Sequence, residues 1–162
     1  MTLVDKRNGW TPYRRWKAAT GSNTPGCYAC QSTALTKIYR DFFPESGKIP
    51  VKIGYSRDIL DRVLELNGLN SPRRFRTGFL RKKAYAGFND WQLIGFRSDS
   101  AEKGLPVLEI EMHERYNRFS AKSMNQIQVI FSRSWFIPAV TEIFVAHDRD
   151  IRNDFPENFD EH

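Results

Sequence analysis

The stretch Val51-Lys52-Ile53-Gly54-Tyr55-Ser56-Arg57-Asp58-Ile59-Leu60-Asp61-Arg62-Val63-Leu64-Glu65-Leu66-Asn67 changes its period halfway along. Up to Tyr55 it alternates, with Val51, Ile53 and Tyr55 on one face and Lys52 and Gly54 on the other, as a strand does. From Arg57 the apolar residues Ile59, Leu60, Val63, Leu64 and Leu66 recur at helical spacing. This predicts a helix to about Asn67, with Ser56 as N-cap and Gly68 as stop. On a wheel of about 100° per residue Arg62 falls at the margin of the apolar face, beside the core rather than opposite it. A cation there is held by a rigid element and still reaches a ligand.

Working outward, the loop Thr20–Gly26 precedes a predicted strand from about Cys27 to Thr33, and Phe43–Pro50 reads as a turn. A third strand is predicted over Trp91–Arg97. A second helix starts near Leu105, with Pro106 suited to its first turn, and ends near Phe119. Its apolar stripe is Leu105, Leu108, Met112, Tyr116 and Phe119. Glu109 and His113 lie beside that stripe, four residues apart and therefore neighbours, while Glu111 faces away. Trp135 and Phe136 fall in a short extended piece. Pro138–His147 reads as a final helix with Val140, Ile143, Phe144 and His147 inward. These elements predict a small α/β (α+β) domain in which helices pack on a short antiparallel sheet.

The 162 residues carry a formal charge of +6, but unevenly. From His147 to His162 two basic residues face six acidic ones, a balance of −4, which leaves +10 on the first 146 residues. Within Pro72–Lys83 stand Arg73, Arg74, Arg76, Arg81, Lys82 and Lys83 with no acid among them. Phe75 and Phe79 are interleaved, and Tyr85, Phe88 and Trp91 follow. The N-terminal arm adds Lys6, Arg7, Arg14, Arg15 and Lys17 around Trp10, Tyr13 and Trp16. Cations attract phosphate regardless of sequence, and aromatic faces stack on bases, so nucleic acid is the expected partner. The chain reads as a basic arm over 1–24, a main domain over 25–147 with a basic insertion at about 70–90, and a mobile acidic tail over 148–162.

The composition excludes several classes. Hydrophobic residues at 40% are enough to build a core. No apolar run is long enough to span a bilayer, and the polar N-terminus lacks a secretory stretch, so a cytoplasmic protein without membrane contact is expected. Cys27 and Cys30 have no second Cys or His pair at zinc spacing. They read as ordinary strand residues in a reducing compartment.

The order of these residues resembles the GIY-YIG nuclease superfamily. Gly26-Cys27-Tyr28 comes first, then Lys52-Ile53-Gly54, Arg62 eight residues on, Asn67, Glu109 with His113, and finally Ser134-Trp135-Phe136. The phage-type branch of that superfamily writes its second motif as K-I-G. The resemblance covers about Pro25 to Pro138. It implies a central three-stranded antiparallel sheet flanked by helices, and hydrolysis of nucleic-acid phosphodiesters with Mg²⁺ or Mn²⁺. It makes Tyr28 the tyrosine of the first motif and puts Lys52 where most members have a second tyrosine. Gly54 allows close approach at the strand end, Arg62 contacts the scissile phosphate, Glu109 is the acidic metal ligand, and His113 matches a histidine of the branch.

The residue types suit that chemistry. A fixed guanidinium stabilises charge on phosphoryl oxygens. One carboxylate plus waters suffices for a hard divalent ion, which neutralises a leaving oxygen. Tyr28 would take a proton from water if Lys52, on the same sheet face, lowered its pKa from about 10. The expected function is therefore a metal-dependent endonuclease acting on double-stranded DNA, with the basic cluster at residues 73–83 along the substrate backbone. The alternative is a non-catalytic nucleic-acid-binding module of the same fold. A third reading has the acidic tail occupying a basic groove, of this chain or of another copy.

Overall fold

The computed structural model describes residues 25–68, 85–98, 107–118 and 142–158. The basic arm, the Arg73–Lys83 cluster and the Trp135-Phe136 pair lie outside the described residues. Strand β1 (Gly26–Ser32) leads directly into helix α1 (Thr33–Phe42), and β2 (Ile49–Ser56) leads into α2 (Ile59–Leu66). A single 3₁₀ turn (Tyr85–Gly87) precedes β3 (Trp91–Ser98). Helix α3 (Val107–Arg118), β4 (Ile143–Ala146) and α4 (Asp148–Asp154) follow.

The α+β class expected from the sequence holds, but the sheet has four strands rather than three. They run in the order β3-β1-β2-β4, with every neighbouring pair antiparallel. The fourth strand comes from the segment read as a final helix. Ile143, Phe144, Val145 and Ala146 are all buried, and a short continuous apolar run fits either period. As a strand it sends Ile143 and Val145 into one core and Phe144 and Ala146 into the other.

These two cores lie on opposite faces of the sheet. Tyr28, Cys30, Leu35, Tyr39, Trp91 and the apolar side of α2 fill one. Cys27, Ala29, Val51, Ile53, Met112, Tyr116, Ile151 and Phe155 fill the other. Burying each large aliphatic or aromatic side chain is worth about 1.5–3 kcal/mol, so both faces contribute substantially to stability. The sheet therefore separates α2 from α3, and this decides which polar residues can meet.

Three local expectations are corrected. Helix α2 is capped by Asp58, whose carboxylate accepts the Asp61 N–H at 3.2 Å, not by Ser56. Ser56 instead closes the turn ahead of it by accepting the Asp58 N–H. Helix α1 was not expected, although Leu35, Ile38, Tyr39 and Phe42 have helical spacing and Ser32 caps the helix through Leu35 N–H. The acidic C-terminal segment packs on the domain as far as residue 158 instead of trailing from it. Ile151 and Phe155 are buried and Glu157 bridges to Phe96. Arg115 and Tyr116 engage the Asp154 carboxylate, and Glu157 accepts the Ser98 N–H. Asp154 is thus paired with a cation on α3, and Glu157 is hydrogen-bonded to β3.

Candidate active site

β1 and β2 pair with Tyr28 opposite Gly54 and Cys30 opposite Lys52. Because side chains alternate, Tyr28 and Lys52 share a face and lie diagonally across the ladder. The missing side chain at Gly54 leaves the room they occupy. A Cβ there would stand 2.7 Å from the Tyr28 hydroxyl and 2.9 Å from Lys52 Nζ. The Lys52 ammonium sits 5.7 Å from the centroid of the Tyr28 ring and 5.2 Å from that of Tyr85, each within cation–π range.

Arg62 reaches the same place from the margin of α2. Its Nε donates to the Tyr28 hydroxyl at 3.4 Å and its Nη1 donates to Glu65 at 3.0 Å. These two bonds leave Nη2 uncommitted to either partner, and about a third of the Arg62 side chain is exposed. Tyr28, Lys52, Gly54 and Arg62, predicted from three separate elements, are thus gathered on one face.

Lys52 is 1% exposed and would carry a buried charge alone, but its ammonium forms an ion pair with the Glu142 carboxylate. It also donates to the Ile53 carbonyl at 3.1 Å. Glu142 immediately precedes β4, and its own carbonyl accepts the Ile53 N–H. Burial pushes the Lys52 pKa down, and Glu142 opposes that shift. Glu142, Glu65 and Tyr85 were absent from the predicted site. No motif marks them, and only sheet register and the placement of the 3₁₀ turn bring them near. With Glu142 against Lys52 and Glu65 against Arg62, the cluster holds two cations and two carboxylates.

Tyr28 differs from the expectation of a lowered pKa. It is fully buried, and burial raises the phenol well above its usual range despite the neighbouring Arg62. Its oxygen accepts from the guanidinium and keeps its proton. It therefore orients Arg62 and is not suited to take a proton from water at neutral pH.

Glu109 and His113 come from α3, which packs on the other face. Glu109 Oε1 accepts the Tyr55 N–H at 3.2 Å. Strand β4 pairs with β2 only over Ile49–Lys52, so the Glu109 carboxylate covers a donor further along that edge. His113 Nε2 lies 3.1 Å from the Ile53 carbonyl and 3.9 Å from Glu109 Oε1, with its ring 5.0 Å from that of Phe144. The Ile53 carbonyl is thus approached by Lys52 from one side of the sheet and by His113 from the other. Among the described contacts no bond joins Glu109 or His113 to Arg62, Tyr28 or Lys52.

The chemistry of the Glu109 donor suits a hard divalent ion, because only one carboxylate oxygen is committed to Tyr55 and the side chain is partly exposed. Among the described residues no cluster of three or more His, Cys, Asp or Glu is present. Asn67 is structural here. Its amide donates to the Val63 and Trp91 carbonyls, and its oxygen accepts the Trp91 N–H, tying α2 to β3. Cys27 and Cys30 are buried free thiols, and burial pushes both pKa values up to about 12, as suits inert strand residues. Among the described residues no helix is long and apolar enough to cross a membrane. Comparison with protein-family models, curated proteins and solved structures gave no match.

Proposed function

We propose that this chain is a metal-dependent endonuclease that hydrolyses phosphodiester bonds of nucleic acid, with double-stranded DNA as substrate and Mg²⁺ or Mn²⁺ as cofactor. The observation that carries this reading is that Arg62 bonds the Tyr28 hydroxyl while the Lys52 ammonium lies over the Tyr28 ring, both in the space left by Gly54. The resemblance of the K-I-G and arginine spacing to GIY-YIG nucleases points the same way. In this reading Arg62 meets the phosphoryl oxygens, exchanging Glu65 for the substrate as charge develops there. Tyr28 fixes the guanidinium through Nε, and Lys52 supplies a second positive charge behind it. Glu109 would hold the divalent ion, which when bound supplies charge neutralisation at the leaving oxygen. The basic residues Arg73, Arg74, Arg76, Arg81, Lys82 and Lys83 supply sequence-independent attraction to the backbone.

A non-catalytic nucleic-acid-binding module is the second reading. It is favoured by the protonated, buried Tyr28 and by the position of Glu109 on the face away from Arg62. Incubating supercoiled plasmid and duplex RNA with the protein and Mg²⁺ or Mn²⁺ separates the two. The nuclease reading expects nicking or cutting by the wild type and none by Arg62→Ala or Glu109→Ala. Salt-sensitive binding without cleavage of either substrate supports the binding module. Full cleavage by both variants overturns the site.

A further inference from the structure

Lys52 poses a physical problem that the proposed chemistry does not itself solve. A phosphate site needs it cationic, yet the side chain is almost wholly enclosed, and burial favours the neutral amine. The charged groups around it come from every side. Arg62 on α2 is a second cation, which also opposes the charge, while Tyr28 and Cys30 on β1 are buried and protonated and Tyr85 on the 3₁₀ turn is partly buried and protonated. Glu142, ahead of β4, is the carboxylate bonded to it. About a third of Glu142 is exposed, so this acid stays hydrated while its oxygen reaches inward. The same residue is anchored through its backbone, since its carbonyl accepts the Ile53 N–H at 3.1 Å next to Lys52. Carboxylate and ammonium are therefore held by adjacent rungs of one ladder.

Resting on the phosphodiester reading above, we propose that Glu142 is a positioning residue of the site, holding the Lys52 ammonium cationic and fixed over Tyr28 beside Arg62. It acts through Lys52 and need not touch substrate.

The test compares wild type, Glu142→Gln and Glu142→Asp, with folding of each checked by circular dichroism. Protonation of the Lys52 amine is followed by NMR on protein with labelled lysine. Affinity for a short DNA duplex is measured in EDTA, so that no cleavage intervenes. In Glu142→Gln the Lys52 amine should titrate at lower pH than in wild type. Duplex affinity should then fall several-fold on raising the pH through that titration, while wild type is unchanged over the same range. Glu142→Asp should restore both behaviours in part. An unchanged Lys52 titration in Glu142→Gln, with duplex binding intact, overturns the positioning role alone. A shifted titration in a protein whose wild type binds no duplex overturns the phosphodiester reading, and the positioning role with it. Should Glu142→Gln fail to fold, Glu142→Asp carries the test. Its shorter reach should shift the titration in the same direction, and no shift overturns the role.

Discussion

The Lys52 ammonium, buried on the strand that carries the K-I-G motif, is paired with the Glu142 carboxylate 90 residues later in the chain. Removing either partner of such a pair has unequal effects. Without Lys52 the partly exposed Glu142 can hydrate, whereas without Glu142 the ammonium has no route to water. Glu142→Ala is expected to cost about 2–4 kcal/mol, and Lys52→Met distinctly less. The double variant should recover about 1–3 kcal/mol relative to the sum of the single changes. Denaturant unfolding of the four proteins measures this, and strict additivity would mean that the pair does not contribute.

Gly54→Ala places a methyl group under 3.0 Å from both the Tyr28 hydroxyl and Lys52 Nζ. One of the two must move, and both are packed. Overpacking of this kind costs about 1–3 kcal/mol, and the displaced cation should weaken duplex binding in EDTA. A variant with wild-type stability and affinity would show that the close approach at this glycine has no role.

Arg62 serves two acceptors at fixed angles, through Nε to Tyr28 and through Nη1 to Glu65. Lysine has a single ammonium on a flexible stem and does not reproduce that fork. Arg62→Ala is expected to lower cleavage by about 10²–10³-fold, and Arg62→Lys should recover little of the loss. Near-complete rescue by lysine would reduce the role of Arg62 to that of a point charge.

Glu109 combines a bond to the Tyr55 N–H with a carboxylate charge, and two variants separate these. Glu109→Gln keeps an acceptor for the N–H and should unfold like wild type. Glu109→Ala leaves that donor without it and should lose about 1–2 kcal/mol. Both should be inactive if the charge binds the divalent ion. Activity retained in Glu109→Gln would assign the residue to the strand edge alone.

The thiols of Cys27 and Cys30 rise from 9.0 to about 12 on burial. Since the folded state holds these protons more tightly, their contribution to stability is complete below pH 9.0 and declines as the pH rises toward 12. The buried tyrosines act in the same sense at higher pH, and Lys52 acts oppositely. Wild type should therefore lose more unfolding free energy between pH 9 and about pH 11 than Cys27→Ala/Cys30→Ala does. Equal slopes in a urea series would show that the thiols ionise as freely folded as unfolded.

The sequence by itself determined what depends on neighbours along the chain. The change of period between Tyr55 and Ile59 placed a strand ahead of a helix, put Lys52 opposite Val51 and Ile53, and set Arg62 at the edge of the apolar stripe. That Lys52 and Tyr28 share a face was a supposition from the sequence, because alternation acts within one strand and the register between the two decides it. The tertiary structure alone decided what those cations meet. The run Ile143–Ala146 is too short and too uniformly apolar to declare its own period. It becomes a strand because β2 offers it an edge, and that pairing delivers Glu142 to Lys52. The same sheet puts Glu109 on the face opposite Arg62, a separation no spacing along the chain encodes. The protonation of Tyr28 was equally hidden, because it follows from the burial of its hydroxyl rather than from the residues beside it. Local periodicity sets the elements and the faces they present. Charge balance and pKa depend on contacts between residues distant in the chain, so they arise only once the sheet has closed.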